Sequence, residues 1–141
     1  MEPNTIHVDI VSAEGEIFAG AARVVYLPAQ EGEIGVYPRH APLLTLLKPG
    51  EVRVLGTDNQ EHSFYVSGGA LEVQPNQVSV LADTAARARD LDEQAAIAAR
   101  ERAQSALSGR LDRISYAEAQ AELARAIAQL KLIEKLRRVK G

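Results

Sequence analysis

Three histidines, His7, His40 and His62, are the residues best suited by type to acid–base or metal chemistry, and their spacing argues against both. None stands at ligand spacing from another histidine, and the chain has no cysteine, so neither a metal centre nor thiol chemistry is indicated. His7 and His62 fall in alternating, strand-like runs and are expected at the surface. His40 lies between Arg39 and Ala41 in a turn. A general base needs a positioned partner, and His40 has none in sequence, so it is expected to serve the turn or a contact. The carboxylates Glu31 and Glu33 share a face on an extended chain. They would suit general acid–base work, but no nucleophile or metal ligand accompanies them, and they are expected to form an acidic edge. No nucleophile elbow, Walker A loop or dinucleotide fingerprint occurs. Lys131, Lys135 and Arg138 follow i, i+4, i+7 and share a helix face, with Arg137 and Lys140 nearby. Such a face is either solvated, complementing the helix dipole, or aimed at an acidic protein surface. Interleaved aromatics are missing, which disfavours nucleic acid.

The elements that must position these residues centre on Glu31–Gly50, EGEIGVYPRHAPLLTLLKPG, which holds three of the six prolines. Pro38, Pro42 and Pro49 fix φ and push the preceding residue toward extended geometry. Gly32 and Gly35 open backbone angles closed to other residues. The segment is expected to form two short strands about a rigid turn, with Ile34, Leu43, Leu44, Leu46 and Leu47 in the core.

Ahead of it, Ile6, Val8 and Ile10 alternate as a strand. Glu16–Phe18 and Ala22–Ala29 read as two more, the latter ended by Pro28. After it, Glu51–Leu55 and Glu61–Ser67 form a hairpin, Gly68-Gly69 bends the chain, and Ala70–Val73 and Gln77–Leu81 form a last hairpin. Eight or more short strands with turns every 8–12 residues indicate a β-sandwich or flattened barrel. From Asp83 the period becomes helical. Asp90 resembles an N-cap with Glu93 reaching back, and Leu91, Ala95, Ala99, Ala103 and Leu107 follow at i+4. Ser108-Gly109-Arg110 stops that helix, and Ser115…Glu118 is a capping box for the next. In the second helix Leu123, Ala126, Ile127, Leu130 and Ile133 make one stripe and Leu132, Leu136 and Val139 another. Alanine lets two antiparallel helices approach closely but buries little area, so the hairpin is expected to dock weakly and to detach.

Composition fits two small modules. Of 141 residues, 46% are hydrophobic, 25% charged and 4% aromatic, which demands an aliphatic core. Residues 1–83 carry eleven acidic and four basic side chains, and residues 84–141 eight acidic and twelve basic. The boundary is placed at 85/86: residues 1–85 a sandwich, residues 86–141 a helical hairpin, an α+β chain. No basic start precedes an apolar run, and no stretch of about 18 apolar residues could span a bilayer, so any membrane association is expected through a partner.

Three runs resemble the epsilon subunit of bacterial F-type ATP synthases: Gly32–Thr45 with Leu47–Arg53, Phe64–Thr84, and Ala119–Ile133, AQAELARAIAQLKLI. The resemblance covers nearly the whole chain from about Ile6. It implies a sandwich of about ten strands and a two-helix hairpin, in a non-catalytic rotor subunit at the cytoplasmic face of the bacterial inner membrane. By it, Glu31, Glu33, Tyr37, His40 and Pro42 contact the gamma subunit and the rotor c-ring, Glu33 facing the ring and His40 gamma. Lys131, Lys135 and Arg138 contact the beta subunits when the hairpin extends and inhibits ATP hydrolysis. The family's hairpin ATP motif is degenerate here. Leu91 and Asp92 match, Ala95 stands at its arginine, Arg102 and Arg125 align with two further basic positions, and Gln129 replaces a third. ATP binding is therefore expected to be weak or absent, with no cofactor and no nucleic-acid partner. The readings set against this one are an ATP-sensing module and a stand-alone β-sandwich enzyme.

Overall fold

Short alternating runs and Gly/Pro punctuation give the first part of the chain its strands. The structure, a computed structural model, describes residues 4–109 and 115–140, the side chains of 139 and 140 excepted. Among these, nine strands occur: β1 Ile6–Ser12, β2 Gly15–Ala29, β3 Gly32–Val36, β4 Leu43–Leu47, β5 Gly50–Gly56, β6 Glu61–Val66, β7 Gly69–Gln74, β8 Gln77–Ala82 and β9 Ala85–Arg87. A 3-10 turn, Ala88–Asp90, and two helices follow, α1 Glu93–Leu107 and α2 Tyr116–Lys140. The chain divides into two compact units, residues 1–87 and 88–141.

In the first unit β2 is the organising strand. Its 15 residues pair with β1 along the early part and with β3 and β5 along the later part, and Ala29 meets Leu47 of β4. The order β1-β8-β7-β4-β2 then returns to β1, which closes a flattened β-sandwich. The two short strands expected at Glu16–Phe18 and Ala22–Ala29 are thus one. Pro28 does not end it, because its carbonyl still accepts from Lys48 N at 2.9 Å and only its missing N–H is lost to the ladder. Inward positions are aliphatic, among them Val8, Ile10, Leu27, Val52 and Leu71, around a single buried phenylalanine, Phe64. Each such side chain contributes roughly 1.5–3 kcal/mol on burial.

The change of period comes later than expected. Ala85–Arg87 is extended and pairs with β6, anchored where Ser67 Oγ accepts from Thr84 N at 2.8 Å. The bend at Gly68-Gly69 is real and needs glycine: φ is +122° and +139°, and a Cβ on Gly69 would collide with the Leu81 carbonyl oxygen.

In the second unit the cap of α1 is Asp92, not Asp90. Its Oδ1 accepts from Ala95 N at 3.1 Å, while Asp90 closes the preceding 3-10 turn, fixed by Leu91 N donating to Ala88 O. Ser115 caps α2 as expected, accepting from Glu118 N at 3.2 Å. The buried alanines are Ala96 and Ala103 on α1 and Ala119 and Ala126 on α2. This is a seven-residue spacing rather than the expected i+4 stripe, and it leaves Ala95 and Ile127 exposed. A 3.6-residue helix returns to one face after seven residues, so a narrow seam between two helices selects that spacing. Of the stop expected at Ser108-Gly109-Arg110, Arg110 lies outside the described residues; α1 ends at Leu107, with Ser108 as its C-cap before Gly109, whose φ is +80°.

Candidate interaction surface

The expected contact residues gather around the β2–β3 turn and the loop that leads into β4. The turn is Gln30-Glu31, so Glu31 and Glu33 do not share a strand face, contrary to the expectation: Glu31 lies in the turn and Glu33 on β3. Glu31 is exposed. Glu33 lies on β3, and its Oε1 accepts from Arg53 Nη2 at 3.0 Å. Arg53 also approaches Glu51 at 3.8 Å and stands over the Tyr26 ring, 4.4 Å from its centroid. Ser63 Oγ donates to Glu51 at 2.5 Å. Tyr26 and Tyr37 share a hydroxyl–hydroxyl hydrogen bond of 3.3 Å. That bond, then repulsion from Tyr37, partial burial and Glu33, raise the Tyr26 pKa above the ordinary tyrosine value, while Arg53 pulls the other way. The order of strands explains the cluster: Tyr26 of β2 lies opposite both Gly35 of β3 and Arg53 of β5.

The loop Tyr37–Pro42 is pinned to the β7–β8 turn by Arg39 N donating to Pro75 O at 2.7 Å. Arg39 has φ +66° there, an uncommon state for a residue with a Cβ. His40 is half-buried, and its Nδ1 lies 2.7 Å from its neighbour's carbonyl, Ala41 O. It serves the turn. His7 lies 3.0 Å from Asp9, which also accepts from Gln77 at 2.6 Å, and His62 packs on Phe18. Among the described residues no group of acidic, histidine or cysteine side chains could hold a metal ion.

Beyond the loop, the leucines divide. Leu47 is buried and Leu43 packs against the core, but Leu44 and Leu46 are 75% and 54% exposed. Their assignment to the core is corrected: β4 is a strand, so alternate side chains point outward. Register carries the apolar surface across neighbouring strands. Leu46 lies opposite Ala70, Ala70 opposite Leu81, and Leu81 beside Val11. Leu81 is itself 58% exposed. The result is an apolar stripe over β4, β7, β8 and β1, with Leu44, Glu72 and Asp9 in the adjacent row. Arg53, Tyr26, Leu81 and Val11 were not singled out by sequence. No period-2 alternation marks the outward set: Leu43–Leu47 reads LLTLL, with leucine on both faces of the strand.

On the helical unit, Lys131 and Arg138 are exposed and Lys135 half-exposed, with Arg138 3.5 Å from Glu134. Arg137 donates to Glu93 at 2.8 Å. A shallow groove of about 470 Å3 is lined by Glu93, Ile97, Arg100, Leu130, Glu134 and Arg137, with Arg138 at its side. Arg137 and Arg138 already face carboxylates there. Leu91 is half-buried and Asp92 exposed at the start of α1. Arg102 holds Glu122, its Nε donating at 2.9 Å. Arg125 sits on α2, half-buried. Among the described residues no helix is long and apolar enough to cross a membrane.

Residues 5–88 match the family model described as ATP synthase, Delta/Epsilon chain, beta-sandwich domain, and residues 89–134 match the corresponding long alpha-helix domain. The ATP synthase epsilon chain of Nitrosococcus oceani is 60% identical over 137 residues, covering 97% of this chain and 98% of its own length. That of Alkalilimnicola ehrlichii is 60% identical over 135 residues, covering 96% of each. Among solved structures, a chain of the Euglena gracilis mitochondrial ATP synthase has TM-score 0.71 at 21% identity, over 100% of this chain and 84% of that one. A chain of the Tetrahymena thermophila mitochondrial ATP synthase central stalk and c-ring has TM-score 0.63 at 13% identity, over 94% of this chain and 99% of that one. At those identities the two structures speak for the fold.

Proposed function

The chain belongs to the ATP synthase delta/epsilon chain family, as a non-catalytic epsilon chain of that complex, and from that premise we propose that its sandwich is clamped to the gamma subunit and seated on the c-ring. The observation that carries this reading is the apolar patch of the exposed Leu46 and Leu81 with the half-buried Val11 beside them and the exposed Leu44 in the next row. A monomer rarely exposes contiguous apolar side chains of this kind without a partner, and a rotor element needs a broad, desolvated joint. Gamma is assigned to this patch, together with the loop bearing His40 and Pro42. The ring is assigned to the acidic edge, Glu31 and Glu33, with Tyr37 between the two. Arg53 steadies Glu33 for that role. The chain sits peripherally at the cytoplasmic face of the bacterial inner membrane, through the complex.

The hairpin is assigned the inhibition of ATP hydrolysis, with Lys131, Lys135 and Arg138 reaching acidic ground on the beta subunits. ATP binding by the hairpin is weak or absent. Ala95 supplies no charge, and Arg102 is already engaged by Glu122, so a phosphate would have to displace a carboxylate. Calorimetry with ATP on the isolated chain tests this; micromolar affinity overturns it. The principal test is co-purification with gamma. A 1:1 complex is expected for the native chain and its loss for Leu44→Ser/Leu46→Ser. Truncation after Asp90 is expected to leave assembly intact and raise ATP hydrolysis in the assembled complex, and unchanged hydrolysis refutes the inhibitory role.

A further inference from the structure

The helix pair has a largely alanine seam, and ion pairs cross it at Arg102–Glu122 and Arg137–Glu93. Ala96 and Ala103 of α1 and Ala119 and Ala126 of α2 are all at most 2% exposed, and the one large apolar side chain buried with them on α2 among the described residues is Leu132, at 4%. An alanine methyl buries little apolar area, so such a seam sets distance more than affinity. The cross-seam polar contacts are Arg102–Glu122, where Nε and Nη2 both donate to one carboxylate oxygen, and Arg137–Glu93 at 2.8 Å. They stand toward opposite ends of the seam. The Glu122 side chain is 18% exposed and that of Arg102 53%, so this pair is partly shielded from water, whereas Arg137 and Glu93, at 64% and 37%, are more open. Screening therefore weakens the outer pair first.

We propose that these two ion pairs, Arg102–Glu122 above all, are the latch that holds the two helices closed on each other, so that closure depends on charge and ionic strength in addition to the modest apolar packing of the seam. The proposal deepens the regulatory reading of the hairpin and rests on it for its physiological meaning. It concerns only contacts between the two helices. Any acidic surface that competes for Arg102, or basic one that competes for Glu122, opens the latch without touching the alanines.

The experiment uses the full chain. Because the chain has no cysteine, Gln104→Cys with Ala124→Cys, both exposed, places one spin label on each helix, and electron–electron distance measurement reads closed and open populations. Raising ionic strength from about 0.1 M to about 1 M cuts the screening length from about 10 Å to about 3 Å. It is expected to raise the open-to-closed ratio roughly twofold to fivefold, the scale of one partly shielded ion pair. Glu122→Gln is expected to do the same at low salt. The exchanged pair Arg102→Glu/Glu122→Arg is expected to restore closure to within about twofold, which a merely structural loss would not allow. A distance distribution indifferent to salt overturns the proposal, as does failure of the exchanged pair to close while helical content is retained. The salt series on the labelled chain with Arg102 and Glu122 intact stands even where a charge substitution unfolds the helices. Failure here leaves the truncation test of inhibition untouched, and the converse also holds.

Discussion

The guanidinium of Arg53 lies 4.4 Å from the centroid of the Tyr26 ring while donating at 3.0 Å to Glu33. One side chain thereby fixes both an aromatic and a carboxylate on adjacent strands of the exposed face. A cation over a ring and a charge-assisted hydrogen bond are each modest at the surface, but together they remove the freedom of Glu33. Arg53→Met is expected to cost about 1 kcal/mol in denaturant unfolding and to weaken ring seating, read as looser co-purification with c-ring particles. An unchanged affinity for the ring would mean that the orientation of Glu33 is irrelevant there.

Tyr37 acts on the same cluster from the other side. The hydrogen bond between its hydroxyl and that of Tyr26 is the largest cause of the raised Tyr26 pKa. Tyr37→Phe removes that bond and the repulsion, so the Tyr26 titration midpoint is expected to fall toward the ordinary value near 10. NMR of tyrosine Cζ against pH reads it residue by residue. In the native chain the folded state holds this proton more tightly than the unfolded state does. The associated stability is therefore present below the ordinary tyrosine value and lost as pH rises through the raised one. Tyr37→Phe should flatten that alkaline loss, and an unmoved midpoint would discard the bond as the cause.

Gly69 tests the sandwich itself. With φ at +139° and the Leu81 carbonyl in the space a Cβ would need, Gly69→Ala is expected to cost at least about 2 kcal/mol. Gly32→Ala, at φ +135° but with open space around it, should cost less because only backbone strain is added. Equal losses in urea titrations would show that the collision is relieved by a small shift of β8.

Much of this architecture is legible from local pattern because its elements are local. Alternation marks β1, β5 and β8, and Ser115 announces α2. The remainder depends on contacts that no window contains. Ala19-Gly20-Ala21 carries no large side chain, so nothing local says that β2 runs unbroken from Gly15 to Ala29; pairing with β1 holds it. Ala85–Arg87 is extended only because β6 offers an edge. Arg102 and Glu122 are twenty positions apart and meet only once the helices are in register. The leucines of β4 look like core because LLTLL puts the same side chain on both faces, and only pairing with β7 fixes which face turns inward.

Two aspartates compete for the start of α1, and the structure separates them. Asp92 accepts from Ala95 N, whereas Asp90 ends the 3-10 turn before it. Asp92→Ala is expected to cost about 1 kcal/mol of helix stability, and Asp90→Ala no more than about 0.5 kcal/mol. Amide exchange at Ala95 and Ala96 would register the first and not the second. The opposite order would restore Asp90 as the cap.

The sharpest division runs along β4, where side chains of one kind face opposite ways. Leu47 is 5% exposed within the core cluster, and Leu44 is 75% exposed. Leu47→Ala is expected to cost about 2–5 kcal/mol in unfolding, through lost transfer energy and the cavity left behind. Leu44→Ser removes a side chain that touches mostly water, so its unfolding free energy should stay within about 0.5 kcal/mol of the native value. Its effect belongs in association instead. Water leaves Leu44 only when a partner covers it, so Leu44→Ser should weaken gamma binding by about 1.5–3 kcal/mol, roughly tenfold to a hundredfold in Kd. Denaturation and titration calorimetry on the same two variants give a crossed result: one loses stability and the other affinity. Should Leu44→Ser bind gamma as tightly as the native chain does, the patch over β4, β7, β8 and β1 is not the joint, and the clamp must be sought on the Arg53 face.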